Sequence, residues 1–221
     1  MKPSIDDIPI DPMTFGHAIE TLATWASESR LRYVSTCTVY TLMKGLEDPR
    51  VYEALTHADM RTADGMPLVW RQRLAGHKDA ERVYGPDLMV ALLKRMAGDA
   101  GLSHFFYGGL PGVPEQLRAV IKAQIPDVQI AGAYSPEVSE VSETIDSSVA
   151  EMLNASGAAV IWVGLGSPKQ DVWMRLYRPV LKAPLLIGVG AAFDFISGTK
   201  RQAPAWIRST GLEWLFRLYQ E

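Results

Sequence analysis

From Pro86 onward the chain alternates apolar runs of strand length with runs of helix length, and this alternation restricts the fold more than any other feature. Helices are expected over Pro86–Ala97, Pro114–Gln124, Ser139–Asn154, Lys169–Tyr177 and Pro204–Tyr219. Strands are expected over Ser103–Tyr107, Val128–Ile130, Ala159–Val163 and Leu185–Val189. Such a succession implies a Rossmann-like α/β architecture: a mostly parallel sheet, helices on both faces, and ligands at the carboxyl ends of the strands. The first third is less regular. Asp11-Pro12 reads as an N-cap and first helical residue ahead of Phe15, Ile19, Leu22 and Trp25 at helical spacing. A strand over Leu31–Thr36 follows, then helices over Val39–Leu46 and Arg50–His57 separated at Pro49, then an extended segment, Ala58–Gly65, ending in an Asp-Gly turn signal.

Composition narrows the class. With 48% hydrophobic and 21% charged residues, the 221-residue chain can build a core as one domain over 1–221 or as two closely packed lobes. A net charge of −3 argues against bulk nucleic-acid binding. One cysteine, Cys37, excludes an internal disulfide and a cysteine-based zinc site and suits a reducing compartment. The start of the chain carries Asp6, Asp7 and Asp11 where an export signal has basic residues and an apolar run, so the expectation is cytoplasmic. The longest apolar stretches, Ala158–Gly166 and Pro184–Phe193, are about half of the ~20 residues a membrane helix requires. Glu137, Glu140, Glu143, Asp146 and Glu151 read as a solvated helix face. Lys169, Arg175, Arg178, Lys182, Lys200, Arg201, Arg208 and Arg217 outnumber Asp171, Asp194 and Glu213, so the C-terminal third is expected to meet anions.

Three strands end in glycine-rich turns, Tyr107–Gly112, Gly164–Lys169 and Gly188–Gly190. Glycine lets backbone N–H groups approach a phosphate, and a following helix N-terminus adds its positive dipole end. None of the turns matches the dinucleotide or P-loop pattern, and each alone is explained equally well by tight strand-to-helix turning; together they favour a phosphorylated ligand. Asp64 is the most suggestive acid, although its local sequence favours an ordinary Asp-Gly turn over a catalytic role. Asp194, between two phenylalanines, reads as a buried structural carboxylate. Arg82 is either a phosphate clamp or a surface arginine, and Lys169–Trp173 either binds a ligand or caps its helix. The four histidines show no metal-site spacing, and the absence of any Asp-x-Asp triplet removes the usual carboxylate pair that holds a divalent ion on a nucleotide-sugar diphosphate.

In order, these segments resemble the WecG/TagA/CpsF family of bacterial glycosyltransferases from about Tyr33 to the end. The resemblance is carried by Thr36-Cys37-Thr38, Ala58-Asp59 with Ala63-Asp64-Gly65, Arg82–Leu88, Gly108–Gly112, Gly164–Trp173, Gly188–Gly190 with Phe193-Asp194-Phe195, Ala203–Trp206 and Gly211–Leu218. It implies an inverting, metal-independent transfer of a hexose from a UDP-sugar to a sugar on an undecaprenyl-diphosphate lipid. The setting it implies is cell-surface polysaccharide synthesis, in a homo-oligomer peripheral to the cytoplasmic membrane face. No cofactor is implied. The leading donor is UDP-N-acetylmannosamine or a related hexose; a UDP-glucose-dependent exopolysaccharide enzyme and a non-catalytic nucleotide-binding module are the alternatives, and the absent dinucleotide motif counts against an oxidoreductase.

The resemblance places the general base on Asp64, reversing the local preference, and the leaving-group arginine on Arg82. It assigns pocket positions to Thr36, Thr38 and Gln170, and the nucleotide side to Gly108, Gly109, Gly164, Gly166, Lys169 and Gly190. Two departures bear on the sugar: Thr38 stands where the family commonly has Asn, and Gln202-Ala203-Pro204 where it has Arg-Ala-Pro. Family members usually continue past the motif ending at Arg217 with a basic tail; here the sequence stops at Glu221, so that tail is expected to be absent, either trimmed or replaced in its membrane role by the arginines before it.

Overall fold

Every residue of Arg32–Cys37 (β1) is buried, the signature of a strand covered on both faces. Met60–Ala63 (β2), His104–Gly108 (β3), Val160–Gly164 (β5) and Leu185–Gly188 (β6) share it, whereas Ile130–Tyr134 (β4) is only partly covered. The computed structural model describes residues 7–99, 101–137 and 144–204. The six strands form one sheet in the order β2-β1-β6-β5-β3-β4, and every pairing is parallel. The expected Rossmann-like α/β architecture is the observed one.

Alternate residues along each strand feed opposite layers, as the two-residue period of a pleated strand requires. Val34, Phe106, Trp162 and Ile187 pack with Phe15–Ser27 (α1), Gly85–Met96 (α5), Val113–Gln124 (α6) and Ala192–Ser197 (α9). Their neighbours Tyr33, Phe105, Tyr107, Ile161, Val163 and Leu186 pack with Ser147–Ala155 (α7) and Lys169–Tyr177 (α8). Tyr107, Trp173 and Tyr177 stack in sequence, with ring centroids 4.5 and 4.4 Å apart, so Trp173 belongs to the core. A third cluster joins Val39–Glu47 (α2), Pro49–Thr56 (α3) and Met66–Leu74 (α4) to Cys37 and Ala63. Inside the sheet, Trp162 Nε1 donates to His104 Nδ1 at 3.2 Å, and burial pushes this histidine down to about 4, which keeps it neutral.

Several expectations shift. Thr14, not Asp11, caps α1, accepting from His17 N; the Asp11 carboxylate instead accepts from Arg61 N at 2.7 Å and pairs with its guanidinium. Strand β4 lies two residues later than Val128–Ile130, because Val128 is drawn into the core beneath α6. Helix α7 starts after Asp146, whose carboxylate accepts from Ser148 N and Val149 N, so this member of the acidic run is a cap. Helices α4 and α9 were not anticipated. The helix expected over Pro204–Tyr219 falls outside the described residues, apart from its first residue, and so does the first part of Ser139–Asn154. Asp194 is only partly buried, short of the buried carboxylate expected there, and pairs with Lys200 at 2.8 Å.

The basic surplus of the C-terminal third is partly spent inside the protein. Arg175 pairs with Glu53 on α3. Arg178, at the end of α8, is buried: Nη1 donates to Arg32 O at 3.0 Å, and Nη2 to Leu181 O and Ala183 O at 2.9 and 2.6 Å. It meets carbonyl oxygens and not an external anion, and it ties the α8–β6 connection to the start of β1. Arg178→Met, which keeps the apolar stem, strands these carbonyls and is expected to cost about 3 kcal/mol of unfolding free energy. Urea unfolding followed by circular dichroism measures it.

Candidate active site

Because the sheet is parallel, all its strands end at one edge. At the carboxyl ends of β1, β2 and β6 a cleft of about 710 Å³ opens. Its lining includes Thr36, Thr38, Asp64, Arg82, Gly166, Gln170 and Gly190, seven of the residues expected from sequence, together with Tyr84, Ser167 and Phe195. These residues come from widely separated parts of the chain.

Asp64 arrives through strand pairing. Its N–H donates to Cys37 O at 2.9 Å, which carries the β1–β2 ladder one step past β2 before the chain enters α4. Gly65 is extended there, at φ −103° and ψ 139°, so the Asp-Gly pair makes no left-handed turn; it is a strand-to-helix junction. Arg82 lies alongside, since Val83 N donates to Ala63 O at 2.9 Å. Arg82 Nε donates to the Asp64 carbonyl, its Nη2 is 3.4 Å from Asp64 Oδ1, and its guanidinium lies over the Tyr84 ring at 4.1 Å. With 15% of its side chain exposed, Arg82 is no surface arginine.

Thr36 Oγ1 donates to Gly188 O at 2.8 Å and joins β1 to β6 at the cleft floor. Thr38 caps α2 in a reciprocal arrangement with Thr41. Gln170 is buried in the first turn of α8, where its Oε1 accepts from Gly190 N at 2.8 Å and fixes the turn after β6. Gly166 and Gly190 adopt φ of 78° and 55°, which favour glycine at both turns.

Gly108, Gly109, Gly164 and Lys169 are not brought into this lining. A Cβ on Gly164 falls 2.7 Å from the Phe193 ring and one on Gly108 falls 2.5 Å from the Gly164 carbonyl carbon. Their glycines serve close packing of β3, β5 and α9. On α8 it is Gln170, one residue beyond Lys169, that faces the cleft. Among the described residues no group of three or more His, Cys, Asp or Glu side chains is placed to hold a metal ion.

The sequence reading missed Asp171. It is fully buried, with its carboxylate accepting from Ser35 Oγ and, at 3.0 Å, from Ser167 Oγ. Burial pushes its carboxyl from the ordinary 3.8 up to about 6, against the pull of both hydroxyls. The signal was present: Asp171 stands three residues before Met174, and Gln170 three before Trp173, so both polar residues share the core-facing side of α8.

The fold and cleft define a Rossmann-like α/β protein with an open cleft at the carboxyl edge of the sheet. The sequence model of the glycosyl transferase WecG/TagA/CpsF family matches residues 3–221, essentially the whole chain. The chain belongs to this family of glycosyltransferases, whose members move a sugar from a donor to an acceptor in cell-surface polysaccharide synthesis.

Asp171 also makes stability depend on pH. Its value in the folded protein is raised, so ionisation costs the native state; the cost is complete above about pH 7 and fades as pH falls through 6 towards 4. Relative to Asp171→Asn, the wild-type protein is expected to gain about 2–3 kcal/mol between pH 8 and pH 4. Parallel denaturant titrations of the two proteins measure that difference.

Proposed function

We propose that this protein is an inverting glycosyltransferase that moves a hexose from a UDP-sugar to a sugar carried on undecaprenyl diphosphate. The observation that carries this reading is the convergence of Asp64, Arg82, Thr36, Thr38, Gln170 and two glycine turns on one cleft. The acceptor hydroxyl attacks the anomeric carbon and gives its proton to the Asp64 carboxylate. The bond from that carbon to the diphosphate oxygen breaks on the opposite face, inverting the centre and releasing UDP. General-base assistance of this kind contributes about 10²–10⁴-fold. Negative charge growing on the departing diphosphate is met by Arg82, already held in place by Tyr84 and the Asp64 carbonyl, and by backbone N–H groups of the glycine turns. No divalent ion takes part in this reading, in keeping with a sequence that lacks Asp-x-Asp.

N-acetylmannosamine or a related hexose is the leading donor sugar. Thr38, in place of the family's common Asn, keeps UDP-glucose as the second reading. The enzyme works as a homo-oligomer on the cytoplasmic face of the membrane, attached peripherally, and binds no nucleic acid. No helix among the described residues is long and apolar enough to cross a bilayer. Trp70 and Leu74 also present exposed apolar surface on α4, the helix that begins at the cleft.

Mass-spectrometric screening of UDP-sugars with a short-chain lipid-diphosphate acceptor tests the reading, with Asp64→Asn as control. That variant is expected to bind UDP nearly as tightly as wild type while turning over at least about 10²-fold more slowly. Full activity in Asp64→Asn removes it as the base; loss of wild-type activity in chelator with recovery in manganese removes the metal-free mechanism; UDP binding without turnover leaves a nucleotide-binding module. In flotation assays, binding to anionic vesicles is expected to weaken steeply with salt, since each basic side chain near the surface contributes about 1 kcal/mol before screening. Salt-insensitive binding assigns the contact to apolar side chains instead.

A further inference from the structure

Behind the cleft wall the buried Asp171 heads a chain of hydroxyl groups that ends at Thr38. Asp171 accepts from Ser35 Oγ on one carboxylate oxygen and from Ser167 Oγ, at 3.0 Å, on the other. Ser167 Oγ is 2.8 Å from Thr41 Oγ1, and Thr41 Oγ1 is 3.0 Å from Thr38 Oγ1. Each hydroxyl has one hydrogen to give, while a carboxylate can only accept. The direction of the whole chain therefore follows from its buried end. Ser167 spends its hydrogen on Asp171 and must accept from Thr41. Thr41 then has none left, so it accepts from the Thr38 hydroxyl, and its remaining lone pair takes the Thr38 N–H at 3.3 Å. Thr38 Oγ1 has given its hydrogen inward and accepts Thr41 N at 3.2 Å, which leaves a single lone pair. Running the chain the other way leaves a fully buried carboxylate oxygen without its serine donor, a costly arrangement.

We propose that Asp171, acting through Ser167 and Thr41, fixes Thr38 as an obligate hydrogen-bond acceptor on the cleft wall, so that the site selects a sugar substrate presenting a hydroxyl or N–H donor there. This rests on the sugar-transfer reading above and makes Asp171 a positioning residue and Thr38 a specificity determinant. An amide at residue 171 cannot accept on both sides; its NH₂ group, turned towards Ser167, reverses the chain and makes Thr38 present a hydrogen in place of a lone pair. Asparagine at position 38 offers both a donor and an acceptor, whereas threonine locked in this chain offers only the acceptor.

Steady-state kinetics at pH 8, where the Asp171 carboxyl is ionised, test the proposal. Asp171→Asn is expected to raise the KM of one sugar substrate about tenfold with kcat within about twofold, the pattern of a lost hydrogen bond made equally in ground and transition states. Thr41→Val, which cuts the chain in the middle, is expected to do the same. In a Thr38→Val background, adding Asp171→Asn is expected to change KM less than about twofold. An equal loss in both backgrounds, or none in either, overturns the proposal. If wild type turns over no UDP-sugar, the transfer reading falls, and the chain's direction is still read without ligand from the Thr38 hydroxyl proton by NMR. That proton is expected to exchange slowly in wild type and fast in Asp171→Asn; fast exchange in wild type overturns the proposal.

Discussion

Parallel pairing of β1 with β2 on one side and β6 on the other makes three strands leave the sheet at the same edge. Each exit delivers a polar group to one place: Thr36 and Thr38 from β1, Asp64 from β2, and the Gly190 turn from β6. An antiparallel neighbour would send one of these exits to the far edge. The hydrogen bonds from Asp64 N to Cys37 O and from Val83 N to Ala63 O extend this logic beyond the last strand residues, so the Asp64–Arg82 pair is positioned by backbone as firmly as the sheet itself. The cleft is a product of topology before it is a product of any side chain.

Much of the fold was legible because buried parallel strands leave continuous apolar runs in the sequence. Val160–Gly164 and Leu185–Gly188 fall within a residue of where that pattern put them, and α8 coincides with its expected span. Short elements were not legible. The apolar residues of α4 are not gathered on one face, α9 is only six residues long, and β4, half covered at the edge of the sheet, lacks the run that marks the others. The start of α1 was misplaced because Asp11-Pro12 has the right residue types for a cap, while the Asp11 carboxylate is engaged 50 residues away at Arg61. Local sequence cannot report that competition.

For the site, residue type and order were informative about Asp64, Arg82, Thr36, Thr38 and Gln170, and misleading about glycine. Two kinds of glycine look alike in sequence. Gly166 and Gly190 border the cleft with left-handed backbones, whereas Gly164 is glycine because the Phe193 ring leaves no room for a methyl group, and Gly108 combines a φ of 125° with close approach to the Gly164 main chain. Only the three-dimensional contact separates them. Asp171 was hidden for the opposite reason: a carboxylate in the first turn of a helix is ordinary on a surface, and its burial depends on how α8 rolls onto the sheet through Trp173 and Met174.

The arrangement of Arg82 carries one more consequence. A long, flexible side chain commonly loses its rotational freedom when a ligand arrives, a penalty of about 0.5–1.5 kcal/mol for each such group. Here the guanidinium already rests on Tyr84 and on the Asp64 carbonyl, and Gln202 Nε2 donates to the Tyr84 hydroxyl at 3.0 Å, bracing the ring from behind. The entropy was surrendered when the chain folded, so an incoming anion meets a cation that has little ordering left to do.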